Sequence, residues 1–305
     1  MSQTNNCDCA CPTLTMLPVR GFGLAVDASS LGGQGIAPGP DNTHLVTRNG
    51  VLVWESFGQG DMGLMPPADL YVATDGDDAN NGLSPEIPFA TIQAAVDSTS
   101  KYIRTGQTIT IHVAPGTYEE NVIVYFNRHY SALAIVGDAD NYPVITGGTL
   151  SAFLGGLWIS YIHVITEGKS AIQACHFSST HLSDCKATVR NSAEDAAVYA
   201  HNSGEIRIAG PMELVATNAG SCVKTHINGI VVIESPSPFI VTGTVGYGTL
   251  RGSLGGNINF ASNVVISGSV TGRKYHCTTN SAIESSRLAI PGSAAGVTTT
   301  GGVFA

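Results

Sequence analysis

The chain has 305 residues, a formal net charge of −9 and a charged fraction of 12%, which is about half of the charged share of a typical soluble domain. Its hydrophobic fraction of 43% is sufficient to fill a core and excludes wholesale disorder. The acidic balance argues against nucleic-acid binding, and no apolar run reaches the ~18 residues of a membrane-spanning helix. Because the first residues lack the basic and apolar segments of a secretory signal, we expect synthesis in a reducing cytoplasm.

Residues 1–65 form a region rich in glycine and proline, with one clear strand candidate, GVLVWE (50–55). This composition predicts a small β-rich adaptor that ends near the stiff pair Pro66 and Pro67. Cys7, Cys9 and Cys11 alternate within it, so an extended strand would place their sulfurs on one face. They are weak metal-ligand candidates because no nearby His or C-x-x-C pair completes a tetrahedral site; the alternative is a mobile arm. We expect reduced thiols and no cofactor.

The next segment, residues 69–100, predicts a strand, a polar loop and a short helix. The loop DGDDANNG (75–82) has some acidic spacing of a calcium loop, but Ala79 and Asn80 stand where that motif needs other residues, so we interpret it as a tight turn. In the helix predicted over 88–97, Phe89, Ile92 and Val96 fall on one face. That face can cover the open start of a sheet.

Short strands with frequent turns follow from residue 108, and no long helical pattern recurs, which excludes alternating strand–helix architecture. An internal repeat then becomes visible. Four apolar positions recur at spacings of 26, 25 and 27 residues: Ile172, Val198, Val223 and Leu250. Three short strands in each repeat predict an all-β parallel β-helix, a three-sheet solenoid whose turns stack about 4.8 Å apart. Residues 108–270 have room for six or seven turns.

The repeat also predicts which side chains face outward. The first strand of each repeat contributes to two outward columns. One column comprises Gln173, Tyr199, Lys224 and Arg251. The other comprises Cys175, His201, His226 and Ser253. A third column, on the next strand, comprises His181, Arg207, Val232 and Asn259. Such polar and aromatic columns could bind a glycan, with Tyr199 stacked on a sugar; the alternative is an ordinary solvated sheet face. Zinc binding by the Cys–His column is a weaker hypothesis.

Catalysis on this scaffold would need two carboxylates on one surface, about 5–9.5 Å apart in a glycosidase. The candidate acids are Asp184, Glu194, Asp195, Glu205, Glu213 and Glu234. No spacing specifies a pair among them, since Glu205 aligns with Ile230, and no Asp cluster provides the calcium site of a polysaccharide lyase. We therefore name no catalytic residue, and the sequence leans against an enzyme.

Two parts of the chain resemble known proteins. The sequence YVATDGDDANNGLSPEIPFATIQAAVD (71–97), followed by ITIHVAPGTYEENVIV (109–124), resembles the start of pectin-lyase-like right-handed β-helix proteins. TGRKYH (271–276), NSAI (280–283), IPGSAAG (290–296) and TGG (300–302) resemble the end of β-helix proteins of tailed bacteriophages and prophages. Those proteins are tail fibre or tail spike components.

The resemblance implies a right-handed helix and a homotrimer in the virion tail that adsorbs to a bacterial surface polysaccharide or protein receptor. We expect residues 1–65 to attach to other tail or baseplate proteins, 66–270 to form the β-helix with its cap at 69–100, and 271–305 to terminate it. The glycan-binding candidates are Gln173, Tyr199, Lys224, Arg251, His181, Arg207 and Asn259. Two other functions stay open: a depolymerase (polysaccharide lyase or glycoside hydrolase) on the same fold, and a purely architectural virion protein.

Overall fold

The computed structural model describes residues 67–101, 108–125, 132–234, 238–285 and 288–305, together with the backbone of 43–48 and 51–56. The chain divides into two units, Met1–Gly63 and Leu64–Ala305. In the first unit, strands β1 (Thr43–Arg48) and β2 (Val51–Ser56) form an antiparallel pair that includes most of the predicted strand. Cys7, Cys9 and Cys11 lie outside the described residues, so the metal hypothesis there stays a prediction.

The second unit contains one α-helix, one 3₁₀ turn and strands β3 to β21 within its described residues. They are β3 Asp69–Val72, α1 Ile92–Ser98, the 3₁₀ turn Thr99–Lys101, β4 Thr108–Val113, β5 Thr117–Tyr125, β6 Ala132–Val136, β7 Val144–Ser160, β8 His163–Glu167, β9 Ile172–Ser183, β10 Cys185–His201, β11 Glu205–Ile208, β12 Met212–His226, β13 Ile230–Ile233, β14 Pro238–Gly252, β15 Asn257–Phe260, β16 Val265–Ser267, β17 Val270–Thr271, β18 Tyr275–Thr278, β19 Ala282–Glu284, β20 Val297–Thr299 and β21 Val303–Phe304. None of its described helices has the length and apolar character needed to span a bilayer.

These strands form three parallel sheets, which the chain visits in the order A, B, C from residue 108 to residue 278; no described strand of sheet B lies between 282–284 and 297–299. Sheet A contains 69–72, 108–113, 132–136, 157–160, 179–183, 205–208, 230–233, 257–260, 282–284 and 303–304. Sheet B contains 117–120, 144–147, 163–167, 185–190, 212–217, 239–243 and 265–267. Sheet C contains 122–125, 150–153, 172–175, 198–201, 223–226, 250–252, 275–278 and 297–299. The predicted all-β right-handed parallel β-helix is thus confirmed, with about seven turns.

The repeat in the sequence corresponds to the stacking of turns. Val198 pairs in register with Ile172 on one side and with Val223 on the other, and Val223 pairs with Leu250. All four side chains are fully buried. One turn cannot bury its apolar side chains alone, so the interior forms only when successive turns lie over one another.

The cap at the start of the β-helix forms as predicted, but its helix begins later than expected. The helix predicted over 88–97 spans Ile92–Ser98, because Phe89 continues the extended chain: its N–H donates to Tyr71 and its carbonyl accepts from Ala73. The carboxylate of Glu120 accepts from the N–H groups of Ile92 and Gln93, at 2.8 Å each, which satisfies two free donors at the start of the helix.

The loop 75–82, predicted to be a tight turn, is a turn whose carboxylates accept hydrogen bonds from the chain itself. Asp77 accepts from the N–H of Ala79, and Asp78 accepts from the N–H groups of Ala90 and Thr91 at 2.9 Å each. At the other end of the β-helix, parallel pairing continues past residue 270 as far as Phe304. The C-terminal motifs are therefore parts of further turns of the β-helix.

Candidate functional site

The structure brings the predicted sheet C column together. Tyr199 pairs with Gln173 and with Lys224, and Lys224 pairs with Arg251. The ring of Tyr199 is nevertheless occupied, because the Lys224 ammonium lies 4.4 Å from its centroid and the His201 ring stacks on it at 4.6 Å. Tyr199 therefore does not offer the open ring face that stacking on a sugar requires.

Glu194 contacts both Arg251 and Lys224, the two cations of the predicted sheet C column. Its carboxylate accepts from Arg251 Nη1 at 2.9 Å and from the hydroxyl of Tyr247 at 2.5 Å. The Arg251 guanidinium lies 3.7 Å from the Tyr247 ring centroid, and Lys224 Nζ donates to the carbonyl of Glu194 at 2.7 Å. The hydrogen bond from Tyr247, followed by that from Arg251, lowers the pKa of Glu194. Sequence reasoning missed this network because Tyr247 lies outside the repeat positions that were aligned.

The Cys–His column of sheet C is not a metal site. Cys175 was predicted to face outward, and this prediction is wrong: its side chain is fully buried, its thiol donates to the carbonyl of Ala152 at 3.3 Å, and burial raises its pKa to about 11. Ser253, predicted to be outward, is also buried and lies 2.8 Å from His226 Nδ1. Within the described ranges, no three His, Cys, Asp or Glu side chains are placed to hold a metal ion.

Sheet A brings together the other three predicted residues. Arg207 pairs in register with His181 on one side and Val232 on the other, and Val232 pairs with Asn259. The Arg207 guanidinium forms two salt bridges, to Glu205 at 2.7 Å and to Glu234 at 2.6 Å. Burial lowers the pKa of His181, and the charge of Arg207 lowers it further, so the imidazole is neutral at pH 7.

An exposed tryptophan, which sequence reasoning did not select, stands beside these residues. Trp158 pairs with His181, and the two rings stack at 5.0 Å with an interplanar angle of 12°. The tryptophan is 44% exposed although it lies in the middle of the sheet. On the preceding strand its partner in register is Ala134, whose side chain is a single methyl group. A small residue opposite the aromatic position is the signal that could have identified this site.

Trp158 and His181 line a groove of about 320 Å³. The remaining lining residues are Ile159, Ser160, Tyr161, Leu182, Ser183, Asp184 and Ala209. The hydroxyl and carboxylate groups among them are hydrogen-bonding partners for a polar ligand, and the indole provides an apolar surface. Mixed lining of this kind is typical of small-molecule and sugar-sized sites.

A second groove, of about 340 Å³, lies next to the first along sheet A, and its lining includes Tyr71, His112, Pro85, Pro88 and Asp138. The rings of Tyr71 and His112 stack at 5.2 Å, which repeats the aromatic–imidazole pair of the first groove. One lining residue of each groove is joined by a backbone hydrogen bond, since the N–H of Gly137 donates to the carbonyl of Ser160 at 2.9 Å. The strand count separates the two ring pairs by three strand spacings, or about 14 Å, along the axis, and the register offsets them by two residues, or about 7 Å, along the strands.

The candidate acids are engaged in contacts within the protein. In addition to the partners of Glu194, Glu205 and Glu234 described above, Asp195 accepts from Ser170 and Ser192, Asp184 from Ser183, and Glu213 pairs with Lys186 at 3.3 Å. Glu205 lies in register with Ile230, as predicted. Burial raises the pKa of Glu120, but both of its oxygens hold the start of the helix.

Comparisons with known proteins add little beyond the fold. No protein-family model matches the chain, and no curated protein matches it. Among solved structures, the deglycosylated pectin methylesterase from Aspergillus niger aligns with 80% of this chain and 88% of its own, at 14% identity and a TM-score of 0.25. The strand register defines the class of the protein as a parallel β-helix. A similarity this low carries no conclusion about activity.

Proposed function

We propose that this chain binds a glycan without cleaving it, and that the binding site is the pair of grooves along sheet A. The observation that carries the proposal is the exposed indole of Trp158, which stacks on the ring of His181 and lines a groove. An indole held in this way already has little conformational freedom to lose, so stacking a sugar ring on it costs little ordering entropy.

The shape of the site favours a chain-like ligand over a single small molecule. The two aromatic–imidazole pairs lie on one sheet, about 14 Å apart along the axis by strand spacing, and each pair lines a groove. An extended oligosaccharide that runs along the axis of the β-helix can contact both pairs. Two contacts support binding without hydrolysis among the described residues: Glu205 and Glu234 are paired with Arg207, and Asp184, which lines the groove of Trp158, accepts a hydrogen bond from Ser183.

The experiment is a binding titration of the full chain against purified bacterial surface polysaccharides, followed by tryptophan fluorescence. Because the chain has two tryptophans, Trp54 is first replaced by phenylalanine, so that the signal reports Trp158. We expect a saturable change with long fragments and weaker binding with fragments too short to reach both ring pairs. A fluorescence signal that no polysaccharide changes would contradict the proposal.

We further propose that the protein is a receptor-binding appendage of a tailed-phage virion. The C-terminal motifs support this biological setting. In it, residues 1–65 attach the chain to other tail or baseplate proteins, and the β-helix presents the grooves to the host surface. Labelled protein should adsorb to susceptible cells, and loss of adsorption after removal of the surface polysaccharide would identify the receptor class. Absence of any adsorption would favour a purely architectural virion protein.

A depolymerase is the second candidate, and one observation favours it. Glu205 and Glu234 both contact the Arg207 guanidinium, so two carboxylates lie on the sheet that carries Trp158. Incubation with host capsule or lipopolysaccharide, with reducing ends measured over time, separates the two functions. Release of oligosaccharides by the wild type, abolished in Glu234→Gln, would replace the binding proposal with the enzymatic one.

A further inference from the structure

The two grooves of sheet A carry charge of one sign. Asp184 lines the first groove, beside Trp158, and Asp138 lines the second groove, beside His112. Among the described residues that line them, neither groove has a Lys or an Arg. A groove with low-dielectric walls concentrates the field of the charges that line it. A ligand that enters either groove therefore meets a negative potential.

The polar groups beside Asp184 are hydrogen-bond acceptors. Asp184 Oδ2 accepts from the Ser183 hydroxyl at 2.5 Å, so the one proton of that hydroxyl is already used. The other carboxylate oxygen, Oδ1, has no hydrogen-bond partner among the described residues. The N–H of Tyr161 donates to the carbonyl of Asp184 at 3.1 Å, which holds the backbone of this residue in place. The first groove is thus suited to a ligand that donates hydrogen bonds.

The second groove has the same chemistry. Asp138 Oδ1 accepts from the N–H groups of Asp140 and Asn141 at 2.8 Å each, and its Oδ2 has no hydrogen-bond partner in the described part of the chain. The imidazole of His112, which also lines this groove, lies 2.7 Å from the carboxylate of Asp69. Protonation of His112 would therefore leave its charge balanced by Asp69, and the groove would stay negative.

The rest of sheet A does not supply a compensating cation. Arg207 is the one Lys or Arg on its described strands, and the carboxylates of Glu205 and Glu234 both contact it. Arg104 and Arg128 belong to connections outside the described residues. Those connections precede β4 and β6, whereas the second groove is lined by the last residue of each of these strands.

A tyrosine at the edge of the first groove responds to this charge. The ring of Tyr142 packs edge-on against Tyr161, with the centroids 5.9 Å apart. Burial raises the pKa of Tyr142, and the charge of Asp184 raises it further. Lys186 lies 5.7 Å from the Tyr142 ring, but its Nζ pairs with Glu213 at 3.3 Å. The charge of Asp184 therefore acts on this edge of the groove, where the cation already has a carboxylate partner.

We infer that the grooves of sheet A select a glycan that is neutral or carries ammonium groups, and that they exclude glycans rich in carboxylate, phosphate or sulfate. The inference rests on the proposed function, because it assigns the charge class of the ligand for the same grooves. A polyanion would place like charges and acceptors against Asp184 and Asp138. Hydroxyl and ammonium groups instead donate to these carboxylates, and hydrogen bonds to a charged partner are the stronger kind.

The sign of the potential at Trp158 is measured first, without a glycan. In the Trp54→Phe background, the fluorescence is quenched at constant ionic strength by iodide, by caesium and by neutral acrylamide. With acrylamide and free N-acetyltryptophanamide as references, iodide should quench Trp158 poorly and caesium should quench it well. Asp184→Asn should raise the iodide quenching constant about twofold, and asparagine suits the φ of 53° at this residue.

The matched control for Asp184→Asn is Glu119→Gln on sheet B. It changes the net charge of the chain by the same amount and should leave the iodide quenching constant unchanged. An equal rise in both variants would mean that iodide senses the net charge of the chain, and would overturn the assignment of the potential to the groove.

The ligand class is tested with three β-1,4-linked hexasaccharides of equal length, made of N-acetylglucosamine, glucosamine or glucuronic acid, at a pH where the amine is protonated. We expect the glucosamine hexamer to bind about threefold more tightly than the neutral N-acetylglucosamine hexamer. Asp184→Asn and added salt should both reduce this advantage, whereas Glu119→Gln should keep it. The glucuronic acid hexamer should not bind.

The outcomes separate this inference from the proposed function. Binding of the glucuronic acid hexamer as tight as that of the neutral one, or iodide quenching stronger than caesium quenching, would overturn the charge assignment and leave glycan binding intact. If caesium is the stronger quencher but no hexamer and no bacterial polysaccharide binds, the proposed function fails and this inference fails with it.

Discussion

Sheet A and sheet C carry similar kinds of residue in outward columns, but the two faces differ in what those residues contact. On sheet C the cations and aromatic rings contact one another, with Glu194 joining Arg251 and Tyr247. On sheet A the ring of Trp158 has one partner, His181, and a groove beside it. The difference teaches that composition alone does not identify a binding face. A binding face needs a polar or aromatic group whose contacts leave part of it open.

The sharpest test of this comparison replaces one aromatic ring on each sheet. We expect Trp158→Ala to weaken glycan binding by about 30-fold, near 2 kcal/mol, since buried tryptophan anchors dominate binding energy. Tyr199→Ala should change affinity less than about twofold while lowering the free energy of unfolding, because its ring packs on Lys224 and His201. Isothermal titration and urea unfolding measure the two effects, and equal losses of affinity in both variants would break the comparison.

The carboxylate network of sheet C should matter for stability and not for binding. Glu194→Gln leaves Arg251, whose side chain is mostly buried, without its charged partner. We expect a loss of about 1 kcal/mol in the free energy of unfolding, reduced by solvent screening because Glu194 itself is exposed. Glu119→Gln, an exposed carboxylate on sheet B, is the control in the same urea titrations. If the free energy of unfolding of Glu194→Gln equals that of the wild type, the network does not stabilise the fold.

The same network should make the free energy of unfolding decrease at acid pH. Because contacts in the folded state lower the pKa of Glu194 below its ordinary value of 4.5, its stabilisation is present above that pH and is lost as the pH falls through the lowered pKa. The difference in unfolding free energy between wild type and Glu194→Gln should therefore shrink below pH 4.5. A difference that stays constant down to pH 3 would exclude the carboxylate as its source.

Protonation of His201 on sheet C should lower the stability of the fold by a smaller amount, and at a pH closer to neutral. Burial, with further contributions from His176 and His226, lowers the pKa of His201 below its ordinary value of 6.5. The unfolded chain then binds the proton more readily than the folded one, so stability falls as the pH drops below 6.5. Thermal melts of the wild type and His201→Asn between pH 7.5 and 5.5 should show a shallower decline in the variant. Parallel declines would contradict this origin.

The smallest expected effect is at Asn259, which lies on sheet A but outside both grooves. Asn259→Ala should change stability by less than about 0.5 kcal/mol and glycan affinity by less than about twofold. The titration used for Trp158→Ala measures it. A larger loss of affinity would show that the bound glycan extends along sheet A toward the C-terminus, past Arg207 and Val232.

Much of the fold could be predicted because its determinants are local and repeated. The recurrence of Ile172, Val198, Val223 and Leu250 predicts both the stacking and its register, and the structure shows that register. The predictions were wrong where a tertiary contact overrode the local pattern. Alternation predicts an exposed Cys175, but its small thiol is buried and donates to the carbonyl of the neighbouring turn. Periodicity starts the helix at residue 88, but Phe89 pairs with the first strand instead.

The sequence by itself therefore determined the solenoid, the alignment of its turns and the columns of side chains on its faces, because each follows from the spacing of apolar residues along the chain. The tertiary structure decided which columns are open, because that depends on residues far apart in sequence. Glu194 accepts a hydrogen bond from Arg251, which lies 57 residues further along the chain. The groove beside Trp158 is lined by residues of later strands, among them His181 and Ala209. Spacing sets where a side chain lies, whereas its neighbours on adjacent turns set whether a ligand can reach it.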